Sequence, residues 1–304
     1  MTTRHHDRPS VPPITGIVVG LAAASSASIM IRFAQRDAPS LVIAAGRLVI
    51  ASLILAPIAW ARYRDEYKKL APGDGWLALL SGLLLAVHFA TWISSLEYTT
   101  VASSTVLVST SPLFVAAASW LLLREKIGRA VIIGLTMALI GSIIIGLSDA
   151  GATSAAHSAR NPLLGDVLAA TGAVAVAGYL LIGRRLRARL AVVPYIAVVY
   201  SVAALALIVM AAVARQNFTG HTPATYGWII ALALGPQLLG HSAFNWALAH
   251  LPATFVSIAT LGEPIGSALL AYVIFGEAPT PVKLMGAAMI LAGIVVASQT
   301  AGQA

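Results

Sequence analysis

Residues 261–280 read LGEPIGSALLAYVIFGEAPT, an apolar run of helical length that carries an acid and an imino acid side by side at Glu263-Pro264. A shift of 152 positions lays this stretch on residues 109–128, STSPLFVAAASWLLLREKIG. Pro112 falls on Pro264, Ala116 on Ala268 and Glu125 on Glu277. Continuing in the same register, Gly134 meets Gly286, Met137 meets Met289, Leu139 meets Leu291 and Gly141 meets Gly293, giving seven identities in thirty positions without a gap. The same shift places Gly75-Trp76 on Gly227-Trp228. Shared apolar composition supplies chance matches, but not readily a proline, a glutamate and two glycines in one register. The pattern predicts an internal duplication.

What is duplicated follows from composition. Of 304 residues, 59% are hydrophobic and only 10% charged, whereas a soluble domain carries about 25% charged residues. With a mean hydropathy of +0.87, the chain is expected to be an all-α integral membrane protein. Its net charge of +8 sits in short clusters between apolar runs, which suits topology determinants rather than a nucleic-acid-binding face. There is no cysteine, so disulfides and Cys-type metal sites are excluded. A hydrocarbon core needs about 20 apolar residues per helix, and by that measure ten spans are expected, at 14–34, 40–61, 75–97, 100–122, 128–148, 163–183, 192–214, 225–249, 252–275 and 281–300. Residues 14–24 resemble the core of a leader peptide, but the apolar run continues through Ile29, Met30 and Ile31. A polar tail (1–13) precedes the first span, and a Ser/Ala/Gly-rich stretch at 149–161 reads as a linker between an N-terminal repeat (1–150) and a C-terminal repeat (151–304).

Five spans per repeat is an odd number, so the two copies must enter the membrane from opposite sides. The expected architecture is two inverted five-helix repeats, a plan that suits alternating access around a midplane site. With the N-terminus inside, inner segments hold thirteen Lys and Arg against five in outer ones. That bias puts both termini in the cytoplasm, with the chain in the inner membrane.

Four stretches carry a resemblance to a known family: AAGRLVIASLIL (44–55), STSPLFVAAASWLLLREKI (109–127), LGEPIGSALLAYVIFGEAPT (261–280) and GAAMILAGIVVAS (286–298). Along essentially its whole length the chain resembles the drug/metabolite transporter superfamily, and within it the ten-helix EamA-type transporters. The resemblance implies export of small metabolites or drugs. Similarity to bacterial exporters of aromatic amino acids makes those the first substrates to consider. Arg47 matches the arginine of the family's second span, and Glu263-Pro264 its EP motif.

The residues support roles of their own. Pro112 and Pro264 lack the N–H that would close a helical bond to Val108 and Thr260, so they are expected to kink helices as hinges, cavity walls or packing bends. Glu263, near the centre of span nine, is expected to serve proton coupling, a cationic substrate group or a structural hydrogen bond, with Thr260 as a support. Gly262 and Gly266 bracket it in a spacing that admits a close helix. Arg47 lies about 10 Å below the outer edge at about 1.5 Å per residue. It either snorkels, pairs with an acid such as Asp37, or grips a substrate carboxylate. His88 and His241 lie mid-span in near-equivalent positions, as proton relays, substrate contacts or interhelical donors. Phe89 and Trp92 share a face of one span with His88, and Gln237, Phe244 and Asn245 surround His241 on the other. Together they suit a mostly apolar, zwitterionic solute.

Other residues take blander roles. Trp76 and Trp228 are expected in interfacial belts, Arg184 to Arg189 as headgroup anchors, Glu125 and Glu277 as caps or salt bridges, and Asp166 in solvent. No paired-aspartate motif suggests a lipid or prenyl transferase, and no GxxxxGK[ST] loop suggests ATP use. The expected function is a non-enzymatic secondary transporter without cofactor or metal, facilitated or proton-coupled. A channel, a sensor and a membrane-embedded enzyme are the alternatives. Lipid and a small-molecule substrate are its expected partners, nucleic acid is not, and the oligomeric state is open, with a monomer compatible.

Overall fold

The computed structural model describes residues 11–99, 101–122, 124, 127–153, 161–275 and 280–301, and among them every regular element is helical. Helices start where the sequence supplies proline or a capping side chain. α1 (Pro13–Ala24) opens on Pro13 and stops at Ser25-Ser26, after which α2 (Ala27–Ala34) resumes. α3 (Ser40–Tyr63) follows Pro39, and a 3-10 turn over 64–69 leads to α4 (Asp74–Tyr98). α5 (Val101–Val108), α6 (Ser111–Leu122) and α7 (Arg129–Thr153) complete the first half.

In the second half, Asn161 caps α8 (Pro162–Arg187) by accepting the Leu164 N–H at 3.2 Å. α9 (Val192–Val213) is followed by α10 (Pro223–Leu232), capped by Thr222. A π-helical segment over 233–241 continues α10 into α11 (Ser242–Ala247). α12 (Ala253–Thr260), α13 (Glu263–Phe275) and α14 (Pro281–Ala301) end the chain.

Six helical segments, at 13–34, 40–68, 74–98, 162–187, 192–213 and 281–299, are long and apolar enough to cross a membrane, and shorter apolar helices lie at 106–121 and 129–145. Large apolar side chains such as Leu53, Trp60, Trp76, Val174, Leu205 and Val295 point outward. Only a lipid solvent accepts so broad an apolar surface.

Several expectations are corrected. Pro112 and Pro264 do not kink continuous helices. Each is the second residue of a new helix, α6 and α13, after breaks at Ser109-Thr110 and Leu261-Gly262. In a first turn the missing N–H has no intrahelical acceptor to lose, so proline costs little there. α7 runs to Thr153, past the expected start of the linker. Trp228, half-buried near the start of α10, is stacked on Phe33 with ring centroids 4.9 Å apart, so it also packs against the protein. Asp166 accepts a hydrogen bond from Thr99 at 2.9 Å. Glu125 and Glu277 lie outside the described residues.

The main packing pairs are α3 with α9, α4 with α8, and α7 with α14. At the last of these, a side chain on Gly134 would meet the carbonyl of Gly293, and one on Gly141 the carbonyl of Gly286. Contacts in that order require antiparallel helices, and only glycine allows so close an approach of backbones. α1 is the helix that the span-nine glycines admit: a side chain on Gly262 would come within 3.1 Å of Leu21, and Ser267 Oγ donates to the Ser25 carbonyl at 2.7 Å.

Candidate functional site

The site forms where α3, α4, α8, α9 and the π segment meet. Arg47, on α3, is 0% exposed, and none of its three guanidinium nitrogens has a hydrogen-bond partner. Its guanidinium carbon stands 4.3 Å from the centroid of the Phe89 ring, on α4. This cation–π contact offsets part of the cost of desolvating a charge but supplies no acceptor. The arginine neither snorkels nor pairs with Asp37. That carboxylate accepts the Thr222 N–H at 2.7 Å and the Thr225 hydroxyl at 2.9 Å instead. Those bonds, first the backbone one, hold the Asp37 carboxyl below its usual range.

Around Arg47 the sequence-predicted residues converge. Phe89 meets His241 edge-on at 5.2 Å, and His88 stacks on Trp92 at 5.8 Å. His88 Nδ1 lies 2.9 Å from the Gly172 carbonyl of α8. A carbonyl only accepts, so Nδ1 carries the proton there. Phe244 meets His241 edge-on, with ring centroids 6.4 Å apart, while its ring also covers Gly20 of α1.

Gln237 lies inside the π segment, 0% exposed, and both ends of its amide lack partners. The local sequence explains the wide turn: Pro236 cannot donate, and Gly240 lets the backbone approach Ala24 of α1. Such π segments recur at functional sites. Asn245, one element later, donates from Nδ2 to the Tyr179 hydroxyl and to the His241 carbonyl, the latter at 2.7 Å.

Glu263 is half-buried at the start of α13. Among the described residues it makes neither a hydrogen bond nor an ion pair, though its charge and that of Arg47 interact. Thr260 does not support it, since its hydroxyl donates to the Ser257 carbonyl at 2.8 Å. Pro264 follows in the same first turn, while Pro112 opens α6.

Three tyrosines belong to this region and escaped the sequence reading. Tyr200 lies beside Arg47, Gln237 and Asn245 and is 3.4 Å from Ser242 Oγ. Tyr179 joins it to Asn245, and Tyr195 shares a 2.8 Å hydrogen bond with Ser81. All three are fully buried. The available signal is that Tyr195 and Tyr200 interrupt an otherwise apolar span. The supposed headgroup anchors are also partly structural. Arg187 Nε donates to the Asn245 carbonyl at 3.0 Å and Arg184 Nη1 to the Leu248 carbonyl at 2.9 Å, so both cap the end of α11.

Two ties cross between the halves at opposite ends of this core. One is the Asp37 contact with Thr222 and Thr225. In the other, Arg189 Nη1 donates to Asp74 Oδ2 at 2.9 Å, and Ala191 N donates to Glu66 at 2.9 Å.

The profile of the EamA-like transporter family matches residues 12–147 and residues 163–299. The chain is 25% identical to the uncharacterized transporter YetK of Bacillus subtilis over 92% of its own length and 86% of that protein's. It is 25% identical to the pseudopaline exporter CntI of Pseudomonas aeruginosa, covering 94% of this chain and 96% of that one. A solved crystal structure of a protein superposes with a TM-score of 0.74 over 95% of this chain and 98% of the other, at 20% identity, and so shares its fold.

Proposed function

The chain belongs to the EamA-like transporter family, and from that premise we propose that it is an inner-membrane secondary transporter that exports small metabolites by alternating access. Amino acids are the proposed substrates, aromatic ones first. The observation that carries this reading is Arg47, a buried guanidinium with no hydrogen-bond acceptor, set over the Phe89 ring. An uncompensated buried charge is strongly destabilising, and a substrate carboxylate would satisfy it by a bidentate bond. Being named an exporter, CntI supports the direction of transport.

The ten-span, inverted-repeat plan is supported by a single offset. α3 and α9 start at 40 and 192, α5 and α12 at 101 and 253, α6 and α13 at 111 and 263, α7 and α14 at 129 and 281, each pair 152 residues apart. The α7–α14 crossing follows the same rule. Gly134 meets Gly293, the counterpart of Gly141, while Gly141 meets Gly286, the counterpart of Gly134. This reciprocal antiparallel contact is what a two-fold axis in the membrane plane generates. The two ties obey it as well: Asp37 and Arg189 are 152 residues apart, and each binds the first turn of a helix in the other half, Asp37 that of α10 and Arg189 that of α4. With both termini cytoplasmic, Arg189-Asp74 is the inner latch and Asp37-Thr222 the outer one.

Export is facilitated or proton-coupled, with Glu263, His88 and His241 as the mid-membrane proton carriers of the coupled case. The test is counterflow of labelled tryptophan, phenylalanine, threonine and lysine into liposomes, with and without a pH gradient. Saturable uptake that stops on Glu263→Gln and follows the gradient is the proton-coupled outcome. Uptake indifferent to both makes Glu263 structural, and no uptake of any of the four by folded protein refutes the amino-acid reading.

A further inference from the structure

The polar groups around Arg47 are not interchangeable, and their free valences describe a ligand. Arg47 offers only donors, all without partners. Arginine has no acceptor, so this end of the site takes an anion.

The other end is different. Asn245 is 1% exposed, and its Nδ2 is spent on the Tyr179 hydroxyl and the His241 carbonyl. A main-chain carbonyl can only accept, so the bond to His241 fixes which way round the amide sits. Oδ1 is therefore an acceptor by assignment, and it has no donor. Gln237 adds a second free carbonyl oxygen, together with a free N–H₂. The Tyr200 hydroxyl lies beside both amides and beside Arg47, which makes it the hinge between the two ends. Buried amides left without partners cost stability, and here two acceptors of that kind sit together.

Glu263 belongs to the first end. The charged partner it is coupled to is Arg47, and no contact joins it to Asn245 or Gln237 among the described residues.

We infer that the site divides recognition of its substrate between two poles, Arg47 binding the carboxylate and the neutral oxygens of Asn245 and Gln237 binding the amino group, with Tyr200 between them. This rests on the transporter reading above and deepens it. The ligand class is a compound carrying both a carboxylate and an amino group. Compounds lacking either are rejected by the pole they leave unpaired, because a site built to hydrogen-bond a group discriminates strongly against its absence. The carboxylate of Glu263 takes no part in holding the ammonium.

The test is competition against labelled phenylalanine on the purified full-length chain, using phenethylamine, which lacks the carboxylate, and 3-phenyllactate, which lacks the amino group. Wild type is expected to prefer phenylalanine over each by at least about tenfold. Gln237→Leu is expected to make phenyllactate nearly as good a competitor as phenylalanine while the rejection of phenethylamine stays. Arg47→Gln is expected to do the reverse. Both Gln237→Leu and Asn245→Ala are checked for folding by thermal unfolding, and Asn245→Ala gives a second reading of the same pole.

A phenylalanine-to-phenyllactate ratio that both amide variants leave unchanged overturns the division of poles, as does a ratio lost on Glu263→Gln. If wild type binds none of the three compounds, the inference falls. Counterflow of other amino acids then shows whether the transporter reading falls with it.

Discussion

If the chain works by alternating access with both termini inside, as proposed, removing Arg189 should open its inner side by an amount the structure sets. Arg189 is 50% exposed and Asp74 only 3%, with 2.9 Å between them. An exposed pair contributes about 0–1 kcal/mol, whereas breaking a fully buried one costs about 3–5 kcal/mol. This half-exposed pair lies between. Asp74 also keeps one backbone donor, the Ala71 N–H at 3.0 Å, so Arg189→Ala should cost the latched state about 1–2 kcal/mol, a shift of about 5–30-fold in the population of the open state. The assay is thiol labelling. The chain has no cysteine, so Ser81→Cys introduces a single one. Ser81 is fully buried in the N-terminal half of α4, the half nearer Asp74, and bonded to Tyr195. A membrane-impermeant maleimide applied to inside-out vesicles should react with it about 5–30 times faster when Arg189 is alanine. An unchanged rate in folded, membrane-inserted protein would refute the latch.

Three more outcomes follow from the same geometry. Gln237→Leu, which removes a buried amide with no partner at either end, should stabilise the substrate-free protein by about 1–3 kcal/mol in thermal unfolding, while weakening amino-acid binding. Gly286→Ala should destabilise by about 1–3 kcal/mol, because its new carbon would lie 2.8 Å from the Gly141 carbonyl oxygen and 2.8 Å from Ile145. The outer latch should respond to acid in one direction. The Asp37 carboxyl is held below its usual range, so its contribution is complete at neutral pH and is lost as pH falls through that lowered value. Labelling of an outer-side cysteine should therefore rise as pH falls below about 4, and Asp37→Asn should be open already at neutral pH.

Arg47, His88, Gln237, His241 and Asn245 were legible in the sequence because each is a polar residue stranded in an apolar run, and lipid solvent leaves such residues few places but the interior. Helix starts were legible for a similar reason, since Pro39, Pro162, Pro223, Pro252 and Pro281 stand at or next to them. The helix breaks were not. Ser25-Ser26 and Leu261-Gly262 interrupt runs that are long and apolar enough to read as single spans, and a break depends on where a neighbouring helix satisfies the freed backbone. Tyr179, Tyr195 and Tyr200 were missed because a tyrosine is as much at home in an interfacial belt as in a core. Only the contacts of α8, α9 and α11 distinguish the two. Phe244 does two things at once: its ring meets His241 edge-on, as its spacing suggested, and it also fills the space over Gly20, which the sequence did not signal.

The site stands or falls on Arg47. The most direct measurement is counterflow of labelled phenylalanine into liposomes by wild type and by Arg47→Met, a variant of similar reach without the charge. The expected result is saturable exchange by wild type and none by Arg47→Met, although the variant unfolds at a temperature equal to or higher than wild type because its unpaired buried charge is gone. Exchange by Arg47→Met at the wild-type rate would contradict the assignment of this arginine to the substrate carboxylate.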